Sequence, residues 1–211
     1  MNGKFISIEG IEGAGKSTQL AFIAEYLRQR GVDLVVTREP GGTEVSEKIR
    51  TLLLTPSDEP IVDDAELLLM FAARVQHIQH KILPALARGQ WVLSDRFVDA
   101  TYAYQGGGRG IDSNRIQQLA DWSLQGISTD ITFLFDLPVE TGQQRVKTRG
   151  NAKDRIEQEK HSFFDKVRQH YLQLAEAEPN RIKIIDAALT IEAIQAQLST
   201  QLDQLLDTAK A

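Results

Sequence analysis

Cysteine is absent from the 211-residue chain, which excludes disulfides, thiol nucleophiles and cysteine-ligated metal centres. Long apolar runs are missing as well: the longest covers residues 67–73, against the roughly 20 residues a membrane-spanning helix needs. The N-terminus carries no basic segment followed by a long apolar one, so no secretion signal is expected. Positive charge is not in excess. Lys and Arg number 24 against 29 Asp and Glu, a net charge of −5, and such a chain has no global field to attract nucleic acid or an anionic membrane. These absences point to a cytoplasmic protein whose affinity for phosphates has to come from locally placed cations. No internal repeat, low-complexity tract or interdomain linker interrupts the sequence. A single domain over 1–211 is expected, and 42% hydrophobic residues suffice for a sizeable core.

What is present is concentrated first in residues 10–17, G-I-E-G-A-G-K-S, a full match to the phosphate-binding pattern G-x4-G-K-[S/T]. The context fits: residues 4–9 form a short apolar run of strand type, and Leu20, Ile23, Ala24 and Leu27 follow at helical spacing. Glycines let successive backbone N–H groups turn inward around a phosphate, and the helix start adds its partial positive charge. Lys16 then reaches the β- and γ-phosphates, and the Ser17 hydroxyl holds Mg2+. Residues Gly10, Ile11, Glu12, Gly13, Ala14, Gly15, Lys16, Ser17 and Thr18 are the expected nucleoside triphosphate site.

Hydrophobic periodicity alternates along the chain. Strand-type runs fall at 4–9, 33–37, 90–94, 131–136 and 181–186, several rich in Val, Ile and Phe. Helical patterns lie between them. The first ends at Arg28-Gln29-Arg30-Gly31, with cations in the last turn and glycine as a stop. Residues 43–54 carry Val45, Ile49, Leu52 and Leu53. Residues 63–88 open with Asp63 and Glu66 at capping-box spacing, and Pro84 is expected to kink or split that helix. The pattern at 112–125 stops at Gly126, and Pro138 suits a helical first turn. Residues 158–177 would bury Phe163, Phe164, Val167, Tyr171 and Leu174, and a final helix carries Ile191, Ile194, Leu198, Leu202 and Leu205 in its core. Strands alternating with helices predict an α/β fold, a five-stranded parallel sheet covered on both faces.

A phosphate loop alone does not fix the activity. The strand at 90–94 runs into Asp95, the form of a second acidic site that holds Mg2+. A signalling GTPase would need Asn-Lys-x-Asp after a strand, and Asn151-Ala-Lys-Asp154 has those letters out of order behind a helix. Motors and helicases need more chain and a nucleic-acid surface. A small-molecule kinase fits the size and predicts clusters for a phosphate acceptor. Such clusters occur at residues 37–43, T-R-E-P-G-G-T, at the carboxyl edge of the second strand, and from Asp95-Arg96-Phe97 through Thr101, Tyr104 and Gln105 to Gly106–Gly110 with Arg109. With Phe71 and Arg74 they supply aromatic faces, a hydrogen-bonding edge and arginines for a phosphate.

These motifs, with F-A-A-R at 71–74, D-R-F at 95–97, A-Y-Q-G-G-G-R-G at 103–110 and D-R-I-E-Q-E at 154–159, strongly resemble the thymidylate kinase family, in order and over nearly the whole chain. The resemblance implies a P-loop nucleoside monophosphate kinase fold with a lid at 149–160, homodimeric, transferring the γ-phosphate of ATP to dTMP. Phe71 would stack on thymine and Arg74 bond its carbonyl edge. Arg38 and Arg96 would hold the acceptor phosphate, with Glu39 and Pro40 beside them. Thr101 and Gln105 would complete base recognition, Tyr104 would crowd the position of a ribose 2′-hydroxyl, and Glu12 would contact the sugar 3′-hydroxyl. Phe97 and Ala100 stand where the family often has Tyr and Ser, which leaves Thr101 as the nearest hydroxyl to the lost serine.

The loop at 11–14 has no arginine, so the transition-state cation has to come from elsewhere. In the subtype this chain is similar to, lid arginines take that role, here Arg155 and Arg149. The bland alternative for this charged segment is a solvated surface loop. His77 and His80 read as polar surface rather than metal ligands, and Gly106–Gly110 as a flexible binding loop. A kinase for another deoxynucleotide, or a nucleotide-dependent regulatory protein without transfer activity, remain the alternatives at this level; intact Lys16, Ser17, Asp95 and Arg96 weigh against the second.

Overall fold

All five residues of the first strand, β1 (Phe5–Glu9), are buried, which requires cover on both faces of the sheet. The computed structural model describes residues 3–148 and 154–210. In chain order, β1 is followed by α1 (Lys16–Gln29), β2 (Leu34–Arg38), α2 (Glu44–Leu54), α3 (Asp63–His77), α4 (Leu83–Ala87), β3 (Trp91–Asp95), α5 (Val98–Thr101), α6 (Ser113–Leu124), β4 (Ile131–Asp136), α7 (Val139–Thr148), α8 (His161–Ala177), β5 (Ile182–Asp186) and α9 (Ile191–Lys210). The strands form one five-stranded sheet in the order β2-β3-β1-β4-β5. Every neighbouring pair is parallel, with Ile6 opposite both Leu93 and Ile131.

Strand alternation divides the core. Ile6, Ile8, Leu93, Phe133 and Phe135 point to the layer of α1 and α9, where they meet Ile23, Leu27, Ile194, Leu198 and Leu202. On the opposite face Phe5 and Val92 pack with Ile78, Ile82 and Phe97, and Leu134 packs with Tyr104, Phe163, Phe164 and Tyr171. The same alternation carries Ser7, Glu9 and Ser94 into that second layer, so polar groups are buried beside the strand ends. Because all strands run one way, Glu9, Arg38 and Asp95 come together at a single carboxyl edge.

Several local expectations are corrected. Asp63 is a helical residue rather than a cap: Val62 occupies the cap position with no side-chain bond, and Glu66 is buried, turned to tertiary partners instead of the helix start. The helix from Asp63 is indeed interrupted near Pro84, by a π-helical turn at Ile78–Ile82 that puts the proline into the first turn of α4, where its missing N–H is not needed. His77 is fully buried, while His80 is exposed. The glycine tract is not a loose loop. Tyr102–Gly108 is a second π-helical segment laid on α8; a Cβ on Gly107 would sit 2.6 Å from His170 Cβ, and one on Gly108 would strike the Phe163 ring. The helix expected from residue 158 starts at His161; Ala175 rather than Leu174 is buried in it, and in α9 Leu206 is buried while Ile191 is exposed.

Candidate active site

Between β1 and α1 the loop turns through Gly13 at φ 79°, where a Cβ would collide with the Gly142 carbonyl oxygen and no side chain fits. No side chain caps the start of α1, so its first amides face outward for an anion. Lys16 Nζ donates to the carbonyls of Gly10 and Ile11 at 2.8 and 2.9 Å, which fixes the ammonium at the loop mouth. Burial, then repulsion from Arg96, lowers its pKa to about 8.

Arg96 follows β3 in a left-handed backbone conformation, φ 71°, which costs an L-residue about 1–2 kcal/mol. Surrounding groups hold the turn: Arg96 N–H donates to Ile8 O (3.0 Å), Ser94 Oγ to Arg96 O (2.7 Å), and Phe97 N–H to Glu9 Oε1 (2.7 Å). Its guanidinium donates to Glu12 Oε1 at 2.8 Å and to the Tyr171 hydroxyl at 3.3 Å. Glu12 also accepts from the Tyr104 hydroxyl at 2.8 and 2.9 Å, so the loop acid faces donors on both sides. Burial, with Asp99 adding repulsion, pushes Glu9 up to about 8.

A second network lies beside it. Arg74 Nε donates to Glu39 Oε2 at 2.7 Å and Nη2 to Phe97 O at 3.1 Å. His77 Nδ1 bonds Glu39 Oε1 at 2.9 Å and its Nε2 pairs with Thr37 Oγ1 at 2.6 Å. Burial opposes ionisation of Glu39, yet Arg74 and His77 hold its carboxyl below the usual value. His77 is therefore a structural partner of the T-R-E-P segment, joined through the cis Glu39–Pro40 peptide to the cavity wall.

Both networks border a cavity of about 250 Å3 that runs from the phosphate loop to the sides of α3 and α5. On its wall stand Glu12, Gly13, Ala14, Gly15, Lys16, Ser17, Glu39, Pro40, Arg74, Asp95, Arg96, Thr101, Tyr104 and Gln105, all foreseen from sequence. Among the described residues, Arg74 Nη1, Asp95 Oδ1 and Thr101 Oγ1 are buried there without a hydrogen-bond partner. Unpaired buried polar atoms are costly and so point to a ligand. No group of three or more His, Cys, Asp or Glu side chains among the described residues is placed to hold a metal, so the fit to Mg2+, an ion that takes one or two protein oxygens beside waters and phosphates, rests on single donors alone. Ser17 and the unpaired Asp95 oxygen fit that ion.

Other foreseen residues stand elsewhere. Gly10, Ile11 and Thr18 belong to the loop and α1 but do not line the cavity. Arg38 is half exposed and pairs with Glu47 at 2.8 Å. Phe71 is packed among Leu67, Ile111 and Ile116, its ring 5.1 Å below the Arg74 guanidinium. Arg155 donates to Leu53 O at 2.7 Å and to Glu66 Oε2 at 2.5 Å, away from the loop. Arg149 lies outside the described residues. Sequence reasoning missed Arg50, which lines the cavity and donates to Pro40 O at 2.8 Å, and Met70. Both signals existed: Arg50 is followed at i+3 and i+4 by Leu53 and Leu54 on the inner side of α2, and Met70 precedes Arg74 by one turn.

A phosphate loop at the carboxyl edge of a 2-3-1-4-5 parallel sheet, open to an acceptor cavity with its own arginines, defines a P-loop nucleoside monophosphate kinase. The sequence model of the family described as thymidylate kinase matches residues 8–198. The chain belongs to the thymidylate kinase family. It is 54% identical over 210 residues to a thymidylate kinase of Ectopseudomonas mendocina, covering 100% of both chains. The thymidylate kinase of Alcanivorax borkumensis is 53% identical over 205 residues, covering 97% of this chain and 98% of that one. Among solved structures, a thymidylate kinase from Ehrlichia chaffeensis superposes with a TM-score of 0.78 at 34% identity, covering 96% of this chain and 99% of its own.

Proposed function

We propose that this cavity phosphorylates dTMP with ATP, giving dTDP and ADP, a step in the synthesis of dTTP. The observation that carries the assignment is that groups suited to a donor and to an acceptor line one space: Lys16 and Ser17 of the loop, with Arg74, Arg96, Thr101 and Gln105. The thymine edge is read by Arg74, whose unpaired Nη1 supplies a donor, with Thr101 and Gln105 beside it. Phe71 backs Arg74 from the Leu67–Ile116 cluster, and a stack on thymine requires the Arg74 guanidinium to move aside. Tyr104 and Glu12, bonded to each other, take the sugar: the phenol crowds a 2′-hydroxyl and the carboxylate accepts from the 3′-hydroxyl.

Arg96, with Arg38 and Arg50 on the α2 side, holds the acceptor phosphate. One of its oxygens, already anionic, attacks the γ-phosphorus of ATP as the bond to the bridging oxygen breaks and ADP leaves, so no strong general base is required. Lys16 and the amides of the loop, with Thr18 following, neutralise the donor phosphates. Ser17 and Asp95 are the residues that would hold Mg2+, which would supply positive charge against the phosphates. Arg155 and Arg149 supply the remaining cation; for Arg155 this means exchanging Glu66 for phosphate.

A homodimer, a cytoplasmic location and the absence of nucleic-acid or membrane partners belong to the same proposal. Exposed Leu52, Val62, Leu68 and Trp122, at 56, 66, 57 and 72%, support a subunit contact along α2, α3 and α6, and the net charge of −5 argues against nucleic acid. ADP formation with ATP, Mg2+ and a panel of nucleoside monophosphates tests the assignment. Equal turnover of UMP would overturn the specificity, and activity in excess chelator would overturn the metal.

A further inference from the structure

Arg96 reaches into the cavity from a strained turn, and what aims it is a pair of residues outside the cavity wall. Glu9, the last residue of β1, is fully buried and uses both oxygens: Oε1 accepts from Phe97 N–H at 2.7 Å, and Oε2 from the Tyr171 hydroxyl at 2.6 Å. Tyr171 comes from α8, is 2% exposed, and its hydroxyl oxygen accepts from Arg96 Nη1 at 3.3 Å. Its ring meets Tyr104 edge-on at 6.2 Å, which limits the phenol's freedom to follow a moving arginine. The carboxyl of Glu9 therefore holds both ends of the same residue: the backbone just after Arg96 directly, and the guanidinium through Tyr171. The other anchor, Glu12, sits on the phosphate loop, where the proposed sugar contact draws on it.

We infer that Tyr171, fixed by Glu9, is a positioning residue for the acceptor phosphate, setting the direction of the Arg96 guanidinium without touching substrate. This rests on the assignment of Arg96 to that phosphate. An arginine held at one nitrogen by Tyr171 and at the other by Glu12 presents its remaining donors in one orientation, and planar recognition of a phosphate depends on that orientation more than on charge alone. Tyr171→Phe removes the hydroxyl while keeping the ring and its packing.

The test is steady-state kinetics on Tyr171→Phe with each substrate varied. A rise of roughly tenfold in KM for dTMP is expected, the scale of one hydrogen bond to a charged group, with KM for ATP within about twofold of wild type. In an Arg96→Ala background the same substitution should change nothing further, because Tyr171 acts only through that arginine. Should Tyr171→Phe not fold, Glu9 carries the test. Glu9→Ala should raise KM for dTMP, and Glu9→Gln should restore most of the loss, since an amide still accepts from Phe97 N–H and pairs with the phenol. Unchanged KM for dTMP in a folded Tyr171→Phe, an equal rise for both substrates, or a full effect persisting in Arg96→Ala would each overturn the inference. So would equal losses in Glu9→Ala and Glu9→Gln. A wild-type protein inactive on dTMP would instead overturn the functional assignment.

Discussion

Arg155 and Arg109 share the buried carboxylate of Glu66, Arg155 Nη2 at 2.5 Å and Arg109 Nη2 at 3.1 Å from Oε2, while Gln105 Nε2 donates to Oε1 at 2.9 Å. One acid on α3 thus ties Arg155 to the π-helical segment that carries Gln105 and to Arg109 just after it. Burial opposes its ionisation, but Arg109, Gln105 and Arg155 together keep the carboxyl below its ordinary value.

The first prediction follows from that arrangement. In Arg155→Ala, Glu66 keeps Arg109 and Gln105, so the fold should survive with Tm within a few degrees of wild type. The chemical step should suffer: cationic fingers in phosphoryl transfer contribute about 10^3–10^5, and one of two arginines gives less. Single-turnover kinetics should show a fall of at least about 30-fold with dTMP affinity little changed. A chemical step equal to wild type would make the segment around Arg155 a passive cover.

Arg74 and Phe71 separate binding from stability. Removing Arg74 leaves Glu39 buried with only His77 opposite, and breaking a buried pair on one side costs roughly 3–5 kcal/mol. Arg74→Ala should therefore lower both Tm and dTMP affinity. Phe71→Ala empties a site in the Leu67–Ile116 cluster, a loss of about 3–5 kcal/mol, and removes the ring beneath Arg74. Denaturant unfolding with calorimetric titration of dTMP distinguishes the two effects. A Phe71→Ala protein of lowered stability but full dTMP affinity would place that ring in the core alone.

Lys16 carries a pH prediction. Its pKa near 8 reflects burial first and Arg96 next, partly offset by Asp95, Glu12 and Glu9. Bound phosphates favour the charged lysine, so ATP binding is undiminished below about pH 8 and weakens as pH rises through that value, with proton uptake on binding. Titration of ATP from pH 7 to 9.5 in buffers of different ionisation enthalpy measures both. Glu9 titrates in the same range, so Glu9→Gln should keep the dependence. Affinity flat across that range would contradict the assignment of Lys16.

Local signals carried the strands and the loop. All five strands end within one residue of the periodicity, because a buried parallel strand needs a run of Val, Ile and Phe that little else in this chain supplies. The phosphate loop was legible because its spacing is short-range, whereas Glu39, Pro40, Arg74, Arg96, Thr101, Tyr104 and Gln105 on the cavity wall were foreseen through motifs that resemble the family's. Residues that act through distant partners were not. Glu66 has the spacing of a helix cap, yet its partners lie 39 to 89 residues away, and His77 looked like surface until β2 and the cis Glu39–Pro40 turn closed over it. The π-helical turns share the apolar pattern of α-helices, and only the close packing of Gly107 and Gly108 on α8 distinguishes the second.

The most direct measurement follows the phosphorus itself. Incubating the purified protein with dTMP, Mg2+ and ATP labelled in its γ-phosphate, then separating the products, should place the label in dTDP in equal amount to the ADP formed. Label recovered as inorganic phosphate, or transferred as readily to UMP as to dTMP, would contradict a cavity built to join these two substrates.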